Sequence, residues 1–371
     1  MINHINERGL VKVLPVKHPP ITTFQGYAVP LSIQVCYPVT FDWMYSNYIN
    51  IYAFERPKRQ KDDIPIIGGF LGDYDYRKLS HYTSGYSLIL NSTYPFLQIT
   101  QISDDLLEKL NVDIISLIKC SLSTERYVYT LVDTTCINAY KSYLGIHDIM
   151  VYGYDDNSQE LYIADFLSSS GAFSFAKCTY DEFNNAFYSV WPSSLQTRNN
   201  IIGLLKYIDR NKDYNCKYQI DFSYIKSCIS NYLHPDSNLE RNYDGYFSMM
   251  YELPVKTYSG KNVYRYFINF IDTEQQFGKM QIDPRLFHGL YDHKNMMLRR
   301  IEYFICKGFL GASKCQYLSS YSHVRDLSLM IRNLVLKYNI TGKLSLIPKI
   351  KDLLEETKAI EFELLTKVFF E

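Results

Sequence analysis

The change from short β-prone runs to long helical runs, near Cys178, is the feature that most constrains the fold of this 371-residue chain. Before Cys178, runs rich in β-branched and aromatic residues are separated by Gly, Asn, Asp and Ser, which predicts an antiparallel sheet. These runs are Tyr86–Leu90, Arg126–Val132, Asp148–Tyr154, Leu161–Ala164 and Ala172–Lys177. Helical spacing in the same part predicts helices over Tyr37–Tyr52 and Ser103–Lys119.

After Cys178 the pattern is mostly helical. Thr179 and Glu182 have the spacing of a capping box before a helix. Further helices are predicted over Arg198–Asp209, Pro284–Lys307, Lys314–Tyr338 and Leu346–Phe369. We therefore expect an α+β fold, with a catalytic-type domain over residues 1–195 and a mainly helical domain over 196–371 that forms a lid or docks a partner.

Charge and cysteine usage narrow the class of protein. The chain has 39 Lys and Arg against 39 Asp and Glu, which argues against a nucleic-acid partner. No apolar run reaches the ~18 residues needed to cross a bilayer, and the first residues lack a signal peptide, so we expect no membrane partner and a cytoplasmic location. The eight cysteines include no C-x-x-C pair, and His288 and His293 miss the i, i+4 spacing of a helical zinc motif. We expect neither a metal nor a bound cofactor.

The segment from His147 to Asp165 carries the clearest chemical signal, because two β-prone runs flank an Asp/Asn/Ser turn. A three-residue loop over 155–157, with Asn157 left-handed, would place His147 directly opposite Asp165 on one face of the sheet. A two- or four-residue loop would place the two residues on opposite faces. A carboxylate against one imidazole nitrogen fixes the tautomer and leaves the other nitrogen free to accept a proton. The alternative is that His147 is a histidine at a strand end whose hydrogen bonds stabilise the fold and have no catalytic role.

Cys36 is the best candidate for a nucleophile that His147 would serve. Pro38 follows it and apolar residues continue at helical spacing, so a helix beginning near Pro38 would place the thiol at a helix N-terminus. The positive end of the helix dipole lowers a thiol pKa. Cys136, eleven residues before His147, is the reserve candidate, and a small buried thiol without function is the alternative for either cysteine.

The order of Cys36, then His147 opening a strand, then Asp165 ending the next strand resembles the papain-like cysteine peptidases. The segments His147–Asp156 and Leu161–Phe166 are similar to those of double-glycine bacteriocin-processing peptidases and, within that group, of the butirosin biosynthesis protein H-like family. The resemblance covers roughly residues 20–190 and implies a papain-like fold with Cys36, His147 and Asp165 as the catalytic residues.

The same resemblance implies a thioester-processing enzyme of nonribosomal peptide or polyketide biosynthesis. Its substrate would be an acyl group on the phosphopantetheine arm of a carrier protein, and its acceptor an amine or water. The peptidases place an oxyanion-stabilising Gln about six residues before the Cys, where this chain has Pro30, so Gln34 is the candidate for that role. Lys294 with Arg299 and Arg300 is a candidate surface for an acidic carrier protein, and a solvated helix face without a partner is the commoner explanation for such a cluster.

Three functions are therefore expected in order. The first is a cysteine-dependent acyltransferase or thioesterase acting on a carrier-protein thioester. The second is a cysteine peptidase or amidase that cleaves a leader or prodrug peptide. The third is a noncatalytic module that binds a carrier protein.

Overall fold

A computed structural model describes residues 10–55, 69–71, 94–140, 145–167, 172–190, 201–213, 218–235, 256–276 and 282–371. The chain divides into two compact units, and each unit is assembled from two separate stretches of sequence. Unit 1 consists of Met1–Thr40 and Tyr82–Lys217, and unit 2 consists of Phe41–His81 and Tyr218–Glu371. The domain boundary predicted between residues 195 and 196 falls within 191–200, outside the described residues.

The described strands and helices are numbered here in chain order. The strands are β1 (Val11–Val13), β2 (Ile51–Glu55), β3 (Gly69–Leu71), β4 (Leu97–Ser103), β5 (Arg126–Asp133), β6 (Ile146–Asp155), β7 (Glu160–Asp165), β8 (Ser174–Thr179), β9 (Ile201–Tyr207) and β10 (Lys256–Ser259). The helices are α1 (Gln25–Gln34), α2 (Phe41–Ser46), α3 (Asp104–Leu110), α4 (Ile114–Ser123), α5 (Tyr180–Tyr188), α6 (Arg210–Asp213), α7 (Phe222–Leu233), α8 (Asn262–Gln276), α9 (Pro284–Cys306), α10 (Leu318–Thr341) and α11 (Leu346–Phe369).

Unit 1 is built on an antiparallel sheet of seven strands. Their order is β4-β9-β5-β6-β7-β8, and β1 pairs with β6 beside this path. Helices α4 and α5 pack against the sheet. Fully buried apolar side chains from both layers form the core, among them Ile114, Ile118, Leu122, Val151, Leu161, Ile163 and Phe183. The predicted α+β class and antiparallel sheet are confirmed, whereas the strand predicted over Tyr86–Leu90 lies outside the described residues.

Strand β9 corrects the helix predicted over Arg198–Asp209. It pairs with β4 on one side and with β5 on the other, so it lies inside the sheet. Residues 202–205 are buried, because both faces of the strand are covered. Burial on both faces produces a continuous apolar run, and periodicity alone does not separate such a run from a buried helix.

The hairpin of β6 and β7 has a longer turn than predicted. Asp155 pairs with Glu160, so the loop is the four residues 156–159. Gln159, rather than Asn157, has the left-handed backbone conformation, with φ of 54°. The Asp155 carboxylate accepts the backbone N–H of Asn157 at 2.9 Å, which stabilises the start of this turn. The predicted three-residue turn is therefore wrong.

A β-bulge in β6 compensates for the longer turn. Gly153 pairs with Tyr162. The next pair along the ladder joins Val151 to Ile163, so Tyr152 is an extra residue on β6. A bulge of this kind shifts the register by one residue, and here it reverses the change of face that a four-residue loop would cause.

The bulge decides where His147 and Asp165 lie. The ladder continues with Met150 opposite Ala164, and one further step places Asp165 opposite Ile149. His147 is two residues from Ile149 and therefore lies on the same face of the sheet as Asp165. The two residues are diagonal neighbours, not the directly opposed pair that was predicted.

Two predicted helices of the first half are each divided. The segment Tyr37–Tyr52 contains a 3-10 turn at Pro38–Thr40, then α2, and then the start of β2. The segment Ser103–Lys119 is divided because Asn111, with φ of 52°, ends α3 in the left-handed conformation. The side chain of Asp113 then caps α4. Capping residues thus divide a run that periodicity alone would join.

Unit 2 combines long helices with a three-stranded sheet in the order β10-β2-β3. The predicted final helix coincides with α11, and α9 begins at the predicted Pro284. The helix predicted from Lys314 is a 3-10 turn over Ala312–Tyr317 followed by α10. Helix α10 packs against both α9 and α11, as expected for a helical bundle. Among the helices of the described ranges, none is both long and apolar enough to cross a bilayer.

The three residues Lys294, Arg299 and Arg300 do not form the basic surface patch that was expected. Lys294 and Arg300 are buried, and only Arg299 is exposed. The Nζ atom of Lys294 lies 2.8 Å from Oε2 of Glu361, and neither side chain is accessible to solvent. The sequence pattern failed here because a buried lysine needs a partner that lies far away in the chain.

Glu361 is the centre of this buried ionic core. Its carboxylate accepts hydroxyl hydrogen bonds from Tyr232 at 2.7 Å, Tyr264 at 2.9 Å and Tyr321 at 2.6 Å. The three tyrosines lie on α7, α8 and α10, and Lys294 lies on α9. One carboxylate of α11 therefore bonds to four other helices of unit 2.

Candidate functional site

The strongest candidate site lies in unit 1, where β6 and β7 bring His147 and Asp165 together. The imidazole Nδ1 lies 3.0 Å from Oδ2 of Asp165. The Asp165 side chain is fully buried, whereas the His147 side chain is 26% exposed. The carboxylate is therefore sheltered while the imidazole remains open to solvent.

Two further hydrogen bonds hold the Asp165 carboxylate. The backbone N–H of Phe166 donates to Oδ1 at 2.7 Å, and the hydroxyl of Tyr140 donates to Oδ2. Burial, followed by the charge of Asp165, raises the pKa of Tyr140, so this phenol stays protonated and acts as a donor. A buried carboxylate with three donors has a fixed orientation. Asp165 can therefore orient His147.

The contact with Asp165 sets the protonation of His147. Because a carboxylate only accepts, Nδ1 carries the proton and Nε2 is the basic nitrogen. Nε2 makes no hydrogen bond to any residue in the described ranges. Burial lowers the pKa of His147, but the hydrogen bond and charge of Asp165 outweigh it and raise the pKa overall. Nε2 is thus the ring nitrogen that can accept a proton, and the contact with Asp165 stabilises the protonated ring.

The carbonyl oxygen of Asp148 joins a second element to the site. His147 Nδ1 lies 3.0 Å from this oxygen, and Nε2 of Gln25 donates to it at 3.1 Å. Gln25 is the first residue of α1 and is buried. Its other amide atom, Oε1, has no hydrogen-bond partner among the described residues. The first turn of α1 is therefore the helix terminus adjacent to His147.

Asp148 also contributes a carboxyl group. Its Oδ1 lies 3.5 Å from Nδ1 of His147, and its Oδ2 accepts a hydrogen bond from the hydroxyl of Tyr129. Burial, followed by the negative charge of Asp165, raises the pKa of Asp148 to about 8. Asp148 thus places a second carboxyl group beside the imidazole.

Cys36 lies at the opposite end of α1 from this site. Gln25, at the start of the helix, contacts Asp148 beside His147. Cys36 lies two residues after Gln34, the last residue of the helix. At ~1.5 Å per residue, Cys36 is about 16 Å farther along the helix axis than Gln25.

The sheet gives the same placement for Cys36. Cys36 interacts electrostatically with Tyr127 of β5. The β5 residue opposite His147 is Val132, about 17 Å farther along the strand at ~3.3 Å per residue. The structure therefore does not bring Cys36 to His147, although the sequence predicted that pairing.

The surroundings of Cys36 also differ from the predicted helix N-terminus. The thiol follows the C-terminal end of α1 and donates to the carbonyl of Ser32 at 3.5 Å. Burial raises the pKa of Cys36, and the charge of Lys17 lowers it by less. The C-terminal end of a helix carries partial negative charge, which disfavours a thiolate. Cys36 therefore has neither the partner nor the electrostatics that were expected.

Within the described residues, neither of the other two candidates, Gln34 and Cys136, makes a hydrogen bond to the imidazole. Gln34 is fully buried, and its amide has no hydrogen-bond partner among the described residues. It lies near Cys36 at the far end of α1. The Sγ atom of Cys136 lies 3.9 Å from the Thr135 hydroxyl and 4.0 Å from that of Ser189, and neither contact involves His147.

Sequence reasoning missed three residues of the site, namely Gln25, Tyr140 and Asp148. Asp148 was part of a predicted strand, where alternation hid its contact with His147. Tyr140 follows a 3-10 turn and carries no motif that points to Asp165. Gln25 belongs to no sequence motif that would connect it with His147. Recognising α1 as a helix that begins at Gln25 would have marked it as a helix-terminal residue.

Comparison with models of known protein families and with curated proteins gives no match. Within the described ranges, no three His, Cys, Asp or Glu side chains are grouped so as to hold a metal ion. Functional inference therefore rests on the His147 and Asp165 geometry.

Proposed function

We propose that unit 1 is an acyl-transfer enzyme in which His147 is the general base and Asp165 is the residue that orients it. The single observation that carries this proposal is the 3.0 Å contact between Nδ1 of His147 and the buried carboxylate of Asp165. The exposed fraction of His147 leaves Nε2 open to a substrate. The ring of Phe166 lies edge-on to the imidazole, with 6.2 Å between the two ring centroids. It offers an apolar neighbour for an acyl chain.

The resemblance of this segment to the butirosin biosynthesis protein H-like family supports a thioester as the donor and a papain-like fold for unit 1. We propose a carrier-protein thioester from nonribosomal peptide or polyketide biosynthesis as the physiological donor. The acceptor is an amine or water.

In the proposed step, Nε2 of His147 removes a proton from the acceptor as the acceptor attacks the thioester carbonyl. The C–S bond then breaks, and the departing thiolate takes the proton back from Nε2. Asp165 stabilises the imidazolium that exists between these two proton transfers. Because Cys36 lies away from His147, acyl transfer is direct and forms no acyl-enzyme on that thiol.

Thiol release from an acyl-pantetheine donor tests this proposal, with glycine or water as acceptor. We expect His147→Ala to reduce release by ~10²–10⁴-fold. Cys36→Ala serves as the matched control and should keep the wild-type rate, with no acyl adduct on the wild-type protein by intact-mass spectrometry. An acyl adduct on the wild type that Cys36→Ala abolishes would overturn direct transfer. An unchanged rate of thiol release in His147→Ala would overturn the proposal that His147 is the general base.

A noncatalytic carrier-protein-binding module is the second candidate. It is favoured by Gln25, an uncharged amide that stands at the helix terminus where a nucleophile beside His147 would be expected. This function predicts no thiol release by the wild type. It also predicts that carrier protein binds equally well to the wild type and to the Cys36→Ala, His147→Ala double variant, which calorimetric titration would measure. Cleavage of a leader or prodrug peptide is a weaker proposal, since it needs a nucleophile that Cys36 and Cys136 do not supply beside His147.

A further inference from the structure

Nδ1 of His147 faces three oxygen acceptors, although it carries one proton. Asp165 Oδ2 and the Asp148 carbonyl oxygen each lie 3.0 Å away, and Asp148 Oδ1 lies 3.5 Å away. Two carboxyl groups therefore approach one side of a single imidazole. If both were ionised, two negative charges would face an imidazole that carries at most one positive charge.

The groups around Asp148 do not offset a second negative charge. Tyr129 of β5 supplies a neutral hydroxyl, and Gln25 of α1 contacts only the backbone carbonyl. Tyr140 donates to Asp165 and is neutral. In the part of the chain that is described, no lysine or arginine lies within ion-pair distance of Asp148 or Asp165. Close carboxyl groups in a buried site do not both ionise readily, so one of them holds a proton.

Hydrogen bonding identifies which carboxyl group that is. Asp165 accepts three hydrogen bonds, including one from a backbone N–H and one from His147, and these stabilise its ionised form. Asp148 has the hydroxyl of Tyr129, which can either donate or accept, so a protonated carboxyl is equally well satisfied there. The proton therefore belongs on Asp148.

We propose that Asp148 is a positioning residue of this site that acts in its protonated form, so that His147 faces one carboxylate, Asp165, and one neutral carboxylic acid. The upward shift of the Asp148 pKa agrees with this assignment. With Asp148 neutral, Nε2 of His147 loses its proton more readily than it would beside two carboxylates. An ionised Asp148 would hold the imidazole in its charged form, which cannot act as a base.

The catalytic consequence rests on the proposed function, but the proton itself is measurable without any substrate. Infrared difference spectroscopy of protein with ¹³C-labelled aspartate detects the carbonyl band of a buried carboxylic acid. We expect this band in the wild type near neutral pH and its loss in Asp148→Asn, whose amide replaces the protonated acid with little change in shape. Asp155→Asn, a change at a half-buried position at the end of the same strand, is the matched control and should keep the band.

A band that persists in Asp148→Asn would overturn the assignment, because the proton would then lie on another carboxyl. A second measurement uses only wild-type protein: the band should disappear with a midpoint near the Asp148 pKa of about 8, and its absence throughout the titration would also overturn the proposal. NMR of the His147 ring should show a second inflection at that pH, which Asp148→Asn removes. Failure of thiol release with these spectra intact would count against the proposed function alone.

Discussion

Nε2 of Gln25 and Nδ1 of His147 lie within hydrogen-bonding distance of the same atom, the carbonyl oxygen of Asp148. This shared acceptor joins the first turn of α1 to the strand that carries the candidate base.

Removing the Gln25 amide should destabilise unit 1, since the amide makes a buried hydrogen bond. We expect Gln25→Met to lower the free energy of unfolding by about 1 kcal/mol. Gln34→Met is a matched control on the same helix, because its buried amide has no hydrogen-bond partner among the described residues and its loss should be neutral or stabilising. Hydrogen–deuterium exchange of the β6 and α1 amides would measure both effects. An equal loss of stability in Gln25→Met and Gln34→Met would contradict the prediction that only the Gln25 amide is stabilising.

Replacing Asp165 should change the protonation of His147. In the wild type the pKa of His147 is raised, so its contribution to stability is present below the unfolded-state pKa of ~6.5 and is lost as pH rises through the folded-state value. Asp165→Asn weakens the hydrogen bond to the imidazole and removes the negative charge, and these are the two main causes of the increase. We expect a lower His147 pKa by NMR titration and ~10²–10⁴-fold slower thiol release. An unchanged His147 titration would show that Asp165 does not stabilise the imidazolium.

The ionic core of unit 2 should be sensitive to the loss of one partner. Glu361→Gln leaves Lys294 without its counter-charge in a fully buried position, and we expect a loss of about 3–5 kcal/mol. Glu363→Gln, two residues away on α11, removes an exposed ion pair with Lys367 and should change stability little. Denaturant unfolding followed by circular dichroism would compare the two. Similar midpoints for both variants would argue against a stabilising core at Glu361.

The pairing of β1 with β6 should depend on the small size of residue 153. A Cβ atom at Gly153 would lie 2.9 Å from the backbone oxygen of Lys12 and 3.1 Å from the Cα of Val13. Gly153→Ala should therefore cost about 1–3 kcal/mol and speed amide exchange in β1. Gly311→Ala is the control, since its nearest neighbour would be the Ser313 hydroxyl at 3.7 Å. Normal protection of β1 in Gly153→Ala would mean that the strand shifts without loss of pairing.

Local signals in the sequence predicted much of the secondary structure. The capping box of Thr179 and Glu182 forms as expected at the start of α5, and Leu346–Phe369 is a single helix. These features depend on residues within a few positions of each other. Where a strand is buried on both faces, as in β9, the periodic signal is lost and the prediction was wrong.

The candidate site was only partly predictable, for a different physical reason. The His147 contact with Asp165 was expected, but it forms through a four-residue turn combined with a bulge at Tyr152. Two deviations that cancel cannot be seen in a strand pattern of period two. The position of Cys36 depended on which helix it adjoins, and the local sequence suggested the following helix rather than the end of α1.

The two units are interleaved along the chain, since Phe41–His81 belongs to unit 2 but separates the two stretches of unit 1. During translation, β2 and β3 leave the ribosome long before β10 and the helices of their own unit. The sheet of unit 1 likewise cannot be completed until β9, which lies between β4 and β5, has been synthesised. A protein truncated after Lys217 would keep Phe41–His81 without the rest of unit 2, so this segment would be open to proteolysis and aggregation. Expression of unit 1 alone therefore requires removal of Phe41–His81 as well as of the residues after Lys217, rather than a single cut.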